Sequence, residues 1–428
     1  MLSLASENDM NQASRTFSAI KMIAGVSLSV SLGVAVLGSF AFTGVANAAV
    51  ACQKTQSFDR WLADVKKEAA AQGISASAIA TGLNGITPDP AVVRRDHGQG
   101  VFQQDFLTFS NRMVAPYRLQ TGAAKLKRDA ALFRDVEHRF GVPGPVITAF
   151  WGLETDFGTN LGKYPTVRSI LTLAYDCRRA EFFRPQLFDA LRIIQRGDLR
   201  PQDMIGDWAG ELGPLMMTAS DYYKNAVDYD GNGRRDLVHS VPDAIASGAN
   251  LLKSFGWRAG EPWLQEVKVP ATMPWQEADL AIQHPRSQWA AWGVRAAHGA
   301  ALPADNFPAS LLLPMGRLGP AFLAYPNFKA FLGWNSAFVY STTAAYFATR
   351  LAGAPPVSHG NGKPPIMTAQ QIADLQRMLT RDGYDVGKID GKIGTATRGA
   401  VKQAQFKVGL PADSWPTPDL LARLHSGR

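Results

Sequence analysis

The sequence predicts a mostly α, α+β protein in two unequal parts: a large helical body with a small β element, and a compact C-terminal helical unit. Three observations lead there. Apolar residues recur at three- and four-residue steps through much of the chain from about residue 56, and two proline-broken stretches carry short strand-like runs. Between body and unit, 353-GAPPVSHGNGKPP-365 combines glycine, proline and polar residues without periodicity, as a linker does. The 428 residues are 46% hydrophobic and include 10 Trp, 22 Phe and 10 Tyr, enough for a substantial core, which excludes a disordered or fibrous chain.

Taken in order, the chain opens with Arg15 and Lys21 ahead of an apolar, small-residue segment, 22-MIAGVSLSVSLGVAVLGSFAFTGVANAAVA-51. Ala46-Asn47-Ala48 fits the small-x-small pattern before a signal-peptidase cut, so residues 1–48 read as an export signal. An uncleaved membrane anchor is the alternative, because the stretch is long enough to span a bilayer. Cys52 has Ala49, not leucine, three residues before it, which speaks against lipidation. No later segment could span a bilayer, so the rest is expected to be soluble, periplasmic or exported. The only cysteines, Cys52 and Cys177, allow one disulfide but no disulfide scaffold.

In the body, 57-SFDRWLADVKKEAAAQG-73 places Phe58, Trp61, Leu62, Val65 and Ala69 on one helical face and closes at Gly73; 122-GAAKLKRDAALFRDVEHRFGV-142 repeats the pattern. Helices are expected at 145–157, 184–196, 220–227, 241–255 and 336–352, with the β element in 262–275 and 308–325. The unit 366–428 should contain helices over 368–383 and 395–409. Lys and Arg number 44 against 36 Asp and Glu, giving +8, but they form no long basic tract. A diffuse positive surface suits an anionic polymer, and no nucleic-acid partner is expected.

Three segments carry candidate chemistry. In 147-ITAFWGLETDFG-158, Ile147, Phe150, Trp151, Glu154 and Phe157 share one apolar face of a helix begun by Pro145, so Glu154 should be desolvated. Desolvation disfavours the carboxylate and raises its pKa toward the range of a general acid; the alternative is a rim glutamate paired with an arginine. Asp156 points elsewhere and is not a catalytic twin. In 174-AYDCRRAEFFRPQ-186, Arg178 and Arg179 with Tyr175, Phe182 and Phe183 suit a sugar bearing an acidic or acetamido group. The same residues could instead be a packing patch in which Glu181 neutralises an arginine. In 226-AVDYDGNGRRDLVH-239, Asp228, Asp230, Asn232, Gly233, Arg234 and Asp236 follow the first nine places of a calcium loop, but His239 stands where the bidentate glutamate belongs. A weak calcium site or a metal-free Asx-rich turn both fit.

In this order the segments resemble the lytic murein transglycosylase B family, glycoside hydrolase family 103, from about residue 57 to 352. The resemblance includes 141-GVPGPVITAFWGLETDFG-158, 175-YDCRRAEFF-183, 208-WAG, 226-AVDYDGNGRRD-236, 241-VPDAIASGANLLKSFGW-257, 319-GPAF-322, Asn335, Tyr340 and Arg350. The segment 375-LQRMLTRDGYDVGKIDGKIGTATRGAVKQAQFKVGLPAD-413 resembles the three-helix peptidoglycan-binding domain, with Ser414 where glycine is usual. The resemblance implies a lysozyme-like core that cuts the β-1,4 bond between N-acetylmuramic acid and N-acetylglucosamine, leaving a 1,6-anhydro end and requiring no cofactor. It puts the family's catalytic glutamate on Glu154, acting as acid and then as base. It puts substrate contacts on Tyr175, Arg178, Arg179, Glu181, Met216, Ser220, Tyr222, Asn335 and Tyr340. Peptidoglycan strands and cell-wall enzyme complexes are the partners it implies, with a monomeric chain.

The departures gather in one place. Where the family reads about GAMGQPQFMPSSY, this chain has 210-GELGPLMMTASDY-222, with Met216 for a substrate-contacting glutamine, then Met217, Thr218 and Ala219, and Asp221 as an added charge. Cys177 replaces a usual proline. A thioether lacks the amide's two donors and strong acceptor. The alternative function is therefore a non-catalytic wall-binding or scaffolding protein with a degenerate groove. A hydrolase ranks lower, since no partner carboxylate for activating water stands out. Lys388, Lys392, Arg398, Lys402 and Lys407 could draw the C-terminal unit to anionic wall polymer, or serve solubility alone.

Overall fold

The computed structural model describes residues 56–98, 104–303 and 305–427; the export segment and Cys52 lie outside them. Among the described residues no helix is long and apolar enough to cross a membrane. Cys177 is disulfide-bonded.

The body opens with α1 (Phe58–Ala71), α2 (Ala76–Leu83), α3 (Pro90–His97), α4 (Phe106–Met113), α5 (Pro116–Arg128) and α6 (Ala130–Phe140). The stretch read as one repeat over 122–142 is thus two helices, broken at Asp129 (φ −103°, ψ 28°). Helix α7 (Gly144–Thr155) is buried along its whole length and forms the centre of the body. It ends two residues earlier than expected because Asp156 and Phe157 adopt positive φ. A two-stranded antiparallel pair, β1 (Tyr164–Pro165) with β2 (Ile205–Gly206), brackets α8 (Thr166–Tyr175) and α9 (Ala180–Arg196). Helix α9 starts four residues before the expected position; Pro185 falls on its exposed side in the second turn and is accommodated there. Next come α10 (Ala219–Asn225), its N-cap Thr218 accepting from Asp221 N–H, and α11 (Val241–Ser254), capped by Ser240.

The β element is a five-stranded antiparallel sheet in the order β4-β6-β7-β3-β5. Its strands are β3 (Leu264–Lys268), β4 (His284–Pro285), β5 (Arg295–Ala296), β6 (Pro308–Leu312) and β7 (Ala321–Ala324), with α12 (Arg286–Ala291) following β4. One set of its side chains, among them Val267, Leu311 and Leu323, packs with Trp275 and Trp289 into a satellite core. Phe322 and Leu312 point the other way, into the main core, as the two-residue strand period requires. Helices α13 (Phe328–Trp334) and α14 (Phe338–Leu351) return the chain to α7. The C-terminal unit has three helices, α15 (Ala369–Arg381), α16 (Thr395–Lys407) and α17 (Pro418–Ser426), around their own core of Leu375, Leu379, Val401 and Leu420.

Residues 353–365 form no helix or strand, yet they do not hang free. Ser358 N–H donates to Glu266 (2.8 Å), Asn361 Nδ2 to Val269 O (2.8 Å) and Gly362 N–H to Leu318 O (2.9 Å). The unit beyond is docked on the sheet loops. Arg398 donates to the carbonyls of Leu313 (2.7 Å) and Pro314 (3.3 Å), Lys402 pairs with Asp279 at 2.8 Å, and Arg317 N–H donates to Asp413. Gly316, at φ 70°, lies so close to Trp415 that a Cβ would come within 2.6 Å of that side chain. Burial pushes the Arg398 guanidinium down to about 10, against the pull of Asp413 and Asp279, so it stays charged at neutral pH. Two of the five basic residues read as wall-facing, Arg398 and Lys402, are therefore turned to an internal interface.

Candidate active site

Glu154 sits in the last turn of α7 with only 4% of its surface exposed. Two donors converge on its Oε1: Trp334 Nε1 at 3.2 Å and the Tyr340 hydroxyl. Trp334, the last residue of α13, is held by stacking on Phe150 with ring centres 4.2 Å apart. Phe150 precedes Glu154 by one helical turn, so the same face that buries the acid also fixes its donor. The indole N–H can only donate, so the Glu154 oxygen is the acceptor of that bond.

A pocket of about 360 Å³ opens beside this carboxyl, lined by Glu154, Glu211, Met216, Met217, Thr218, Asp221, Leu251, Phe255, Trp334 and Asn335. A second, of about 340 Å³, shares Glu211 and Thr218 with it and adds Arg179, Phe182, Phe183 and Gln186. Together they line a groove that sets Glu154, Glu211 and Arg179 beside Trp334, Phe182 and Phe183. Its floor is the loop after β2, where Leu212 and Met217 exchange backbone hydrogen bonds and Met216 takes φ 46°. Thr155, next to Glu154, donates to Pro214 O at 2.6 Å and ties that loop to α7.

The structure gathers some of the expected contact residues and separates others. Met216, Asn335 and Tyr340 surround Glu154, and Arg179 faces the second pocket. Arg178 and Arg179 are both bound by buried Asp96, which therefore takes the place assigned to Glu181 in the packing reading. Burial pushes Asp96 upward, but hydrogen bonds and charge from the two arginines outweigh it and leave its carboxyl below the usual range. Arg179 lies over Phe183 at 4.8 Å and Trp208 at 5.8 Å, and its buried Nε has no hydrogen-bond partner among the described residues. Glu181 is exposed in the first turn of α9 and lines neither pocket, where an acid suits the helix dipole. Tyr175 packs on Phe58 and Trp61, its hydroxyl donating to Gln56 O.

Ser220 is bonded to Gln186 and Asp189 beneath the groove. Tyr222 is fully buried, donating to Arg235 O and accepting from Leu237 N–H; burial pushes its phenol pKa up. These two support the wall from behind. Sequence reasoning missed Trp334 and the seam residue Glu211. The indole stands immediately before Asn335, and Glu211 stands in the departing segment 210–222, but neither carries a periodic signal of its own.

The loop 228–239 also differs from expectation. Asp228 accepts from the N–H groups of Gly231, Asn232 and Gly233, Asn232 Oδ1 accepts from Arg234 N–H, and Asp236 binds His239. The carboxylates that converge are Asp228, Asp230 and Asp243, the last fixed by Tyr229 and Asp236 N–H groups. Asp243, buried on α11, supplies an oxygen that the twelve-residue pattern does not contain. Asp228, Asp230 and Asp243 are the residues that would hold a cation here, three of the six to eight oxygens that calcium takes, while Asp236 and His239 are engaged with each other.

This geometry places the chain in a class, a lysozyme-like glycan-cleaving fold with the buried acids Glu154 and Glu211 in its groove. The chain belongs to the transglycosylase SLT domain family, whose model matches residues 57–349; a putative peptidoglycan binding domain matches residues 368–424. Among solved structures it is similar to SltB3 from Pseudomonas aeruginosa. In complex with NAG-anhNAM-pentapeptide that protein aligns at a TM-score of 0.80 and 38% identity, over 86% of this chain and 100% of that one. In complex with NAG-NAM-pentapeptide the values are 0.79 and 39%, with the same coverage. The membrane-bound lytic murein transglycosylase B of Escherichia coli is 30% identical over 157 residues, 36% of this chain and 43% of that protein, so the match spans less than half of that relative.

Proposed function

We propose that this protein is a peptidoglycan lytic transglycosylase that cleaves the MurNAc-β-1,4-GlcNAc bond and leaves 1,6-anhydro-MurNAc ends. The observation that carries the reading is Glu154: one carboxyl, buried on an apolar helix, open to a groove and gripped by Tyr340 and Trp334. Protonated, it gives its proton to the glycosidic oxygen as the C1–O bond breaks. The resulting carboxylate is held by the two donors, then takes the C6 hydroxyl proton as that oxygen bonds to C1. One carboxyl serves both steps, unlike the two-carboxylate hydrolases. Arg179 with Phe182 and Phe183 would bind the sugar on the far side of Glu211, and the C-terminal unit would hold the wall. The likeness to SltB3 bound to an anhydromuramyl product supports the reading. The leader-like residues 1–48 support a periplasmic or exported location.

A water-using hydrolase is the second reading, favoured by Glu211, a second buried carboxyl lining the same pocket. Mass spectrometry of sacculus digests separates the two. Muropeptides ending in the 1,6-anhydro ring support transglycosylation; products heavier by one water overturn it in favour of hydrolysis.

A further inference from the structure

The turn that follows the acid is unused by this mechanism. Asp156 (φ 52°) and Phe157 (φ 61°) are consecutive non-glycine residues in the left-handed region. Residues bearing a Cβ resist that conformation, aspartate less than phenylalanine, and two in a row persist only where the surroundings hold them.

Each residue after Glu154 is tied to a different part of the body. Thr155 Oγ1 donates to Pro214 O at 2.6 Å and accepts from Gly158 N–H at 2.9 Å. Asp156 Oδ1 accepts from Arg118 Nε at 3.1 Å, and Oδ2 from the Tyr117 hydroxyl at 3.1 Å. Arg118 is buried on α5, and its Nη1 donates to Met113 O at the end of α4 at 3.0 Å. Phe157 N–H donates back to Trp151 O at 3.1 Å. Its ring covers Gly152, where an added Cβ would come within 2.8 Å of the ring. The last turn of a helix is where unpaired carbonyls accumulate and fraying begins, and Glu154 stands in that turn.

We propose that Asp156 is a positioning residue for the reaction: its ion pair with buried Arg118 holds the left-handed turn that ends α7, and thereby aims Glu154 at its donors and at the groove. Without it the left-handed turn loses its anchor and the last turn of α7 loosens, which lets Glu154 leave Tyr340 and Trp334 while Thr155 keeps the groove floor through Pro214. The sugar-binding walls are on other elements, so substrate binding should survive. The proposal rests on the reading of Glu154 as the acid.

The test is turnover of soluble peptidoglycan oligomers by Asp156→Ala, Asp156→Asn, Arg118→Met and Glu154→Gln, assayed well below each melting temperature. Asp156→Ala and Arg118→Met should each lose about 10- to 100-fold in kcat with KM within about twofold, because small misplacement of a catalytic group is costly. The double variant should lose no more than either single one. Asparagine tolerates the left-handed region and keeps an oxygen acceptor, so Asp156→Asn should recover to within about fivefold of the parent kcat. Unchanged kcat in folded Asp156→Ala, or a loss confined to KM, overturns the proposal. If Asp156→Ala does not fold, Arg118→Lys decides, a kcat loss at constant KM supporting the proposal and an unchanged kcat overturning it. Full activity in Glu154→Gln would instead overturn the assignment of the acid.

Discussion

Replacing Met216 by glutamine should raise activity, and the structure allows the size to be worked out. Met216 is 4% exposed, lines the pocket with Glu154, and holds φ 46°. Both side chains are unbranched at Cβ, so the backbone strain is common to parent and variant and cancels. A glutamine amide in this wall faces Glu154, Glu211, Thr218, Asp221 and Asn335, so it is not stranded among apolar groups. The melting temperature should therefore move by less than about 2 °C, the shift that about 1 kcal/mol produces in a chain of this size. A new hydrogen bond to the sugar is worth about 1–3 kcal/mol in the transition state, or roughly 10- to 100-fold in kcat/KM. The assay is release of anhydro-ended fragments from soluble glycan oligomers at matched protein concentration. A folded variant with unchanged or lower kcat/KM would refute the argument that the sugar passes over Met216.

Three further outcomes follow from the same coordinates. Tyr340→Phe removes one of two donors to Glu154 and should lower kcat roughly 10- to 100-fold with little change in KM, as expected for a charge-assisted hydrogen bond; steady-state kinetics on oligomers would show it. Asp96 has its pKa lowered on folding, so its stabilising contribution is present above the ordinary value of 3.8 and is lost as pH falls below it. Asp96→Asn should accordingly lower the melting temperature at pH 7 and flatten its fall on acidification, read by calorimetry from pH 7 to 3. Arg398→Ala leaves the carbonyls of Leu313 and Pro314 without their donor and should speed proteolytic cutting within 353–365 while sparing turnover of soluble oligomers. Unchanged cutting would mean that Arg398 does not hold the docked unit.

What the sequence disclosed and what it hid divide along physical lines. Helical spacing put Glu154 among the apolar residues of α7, and its burial follows, but the helix is buried on all sides and not on that one face alone. Spacing could not report that Trp334 and Tyr340, far along the chain, close over the same carboxyl, since tertiary pairing leaves no local period. Asp96 shows the same limit: in 90-PAVVRRDHG-98 it reads as one charge among several, yet it pairs with both Arg178 and Arg179 where the exposed Glu181 does not. The glycine- and proline-rich stretch 353–365 was legible as irregular backbone but not as docked, because composition reports missing secondary structure and not missing contact. Left-handed φ at Asp156, Phe157 and Met216 was likewise hidden, none of the three being glycine.

The most direct test of the central claim compares parent protein and Glu154→Gln on intact sacculi, with products identified by mass spectrometry. The account predicts muropeptides with 1,6-anhydro ends from the parent and none from the variant, which should still sediment with the wall. Anhydro products at parental yield from Glu154→Gln would contradict it.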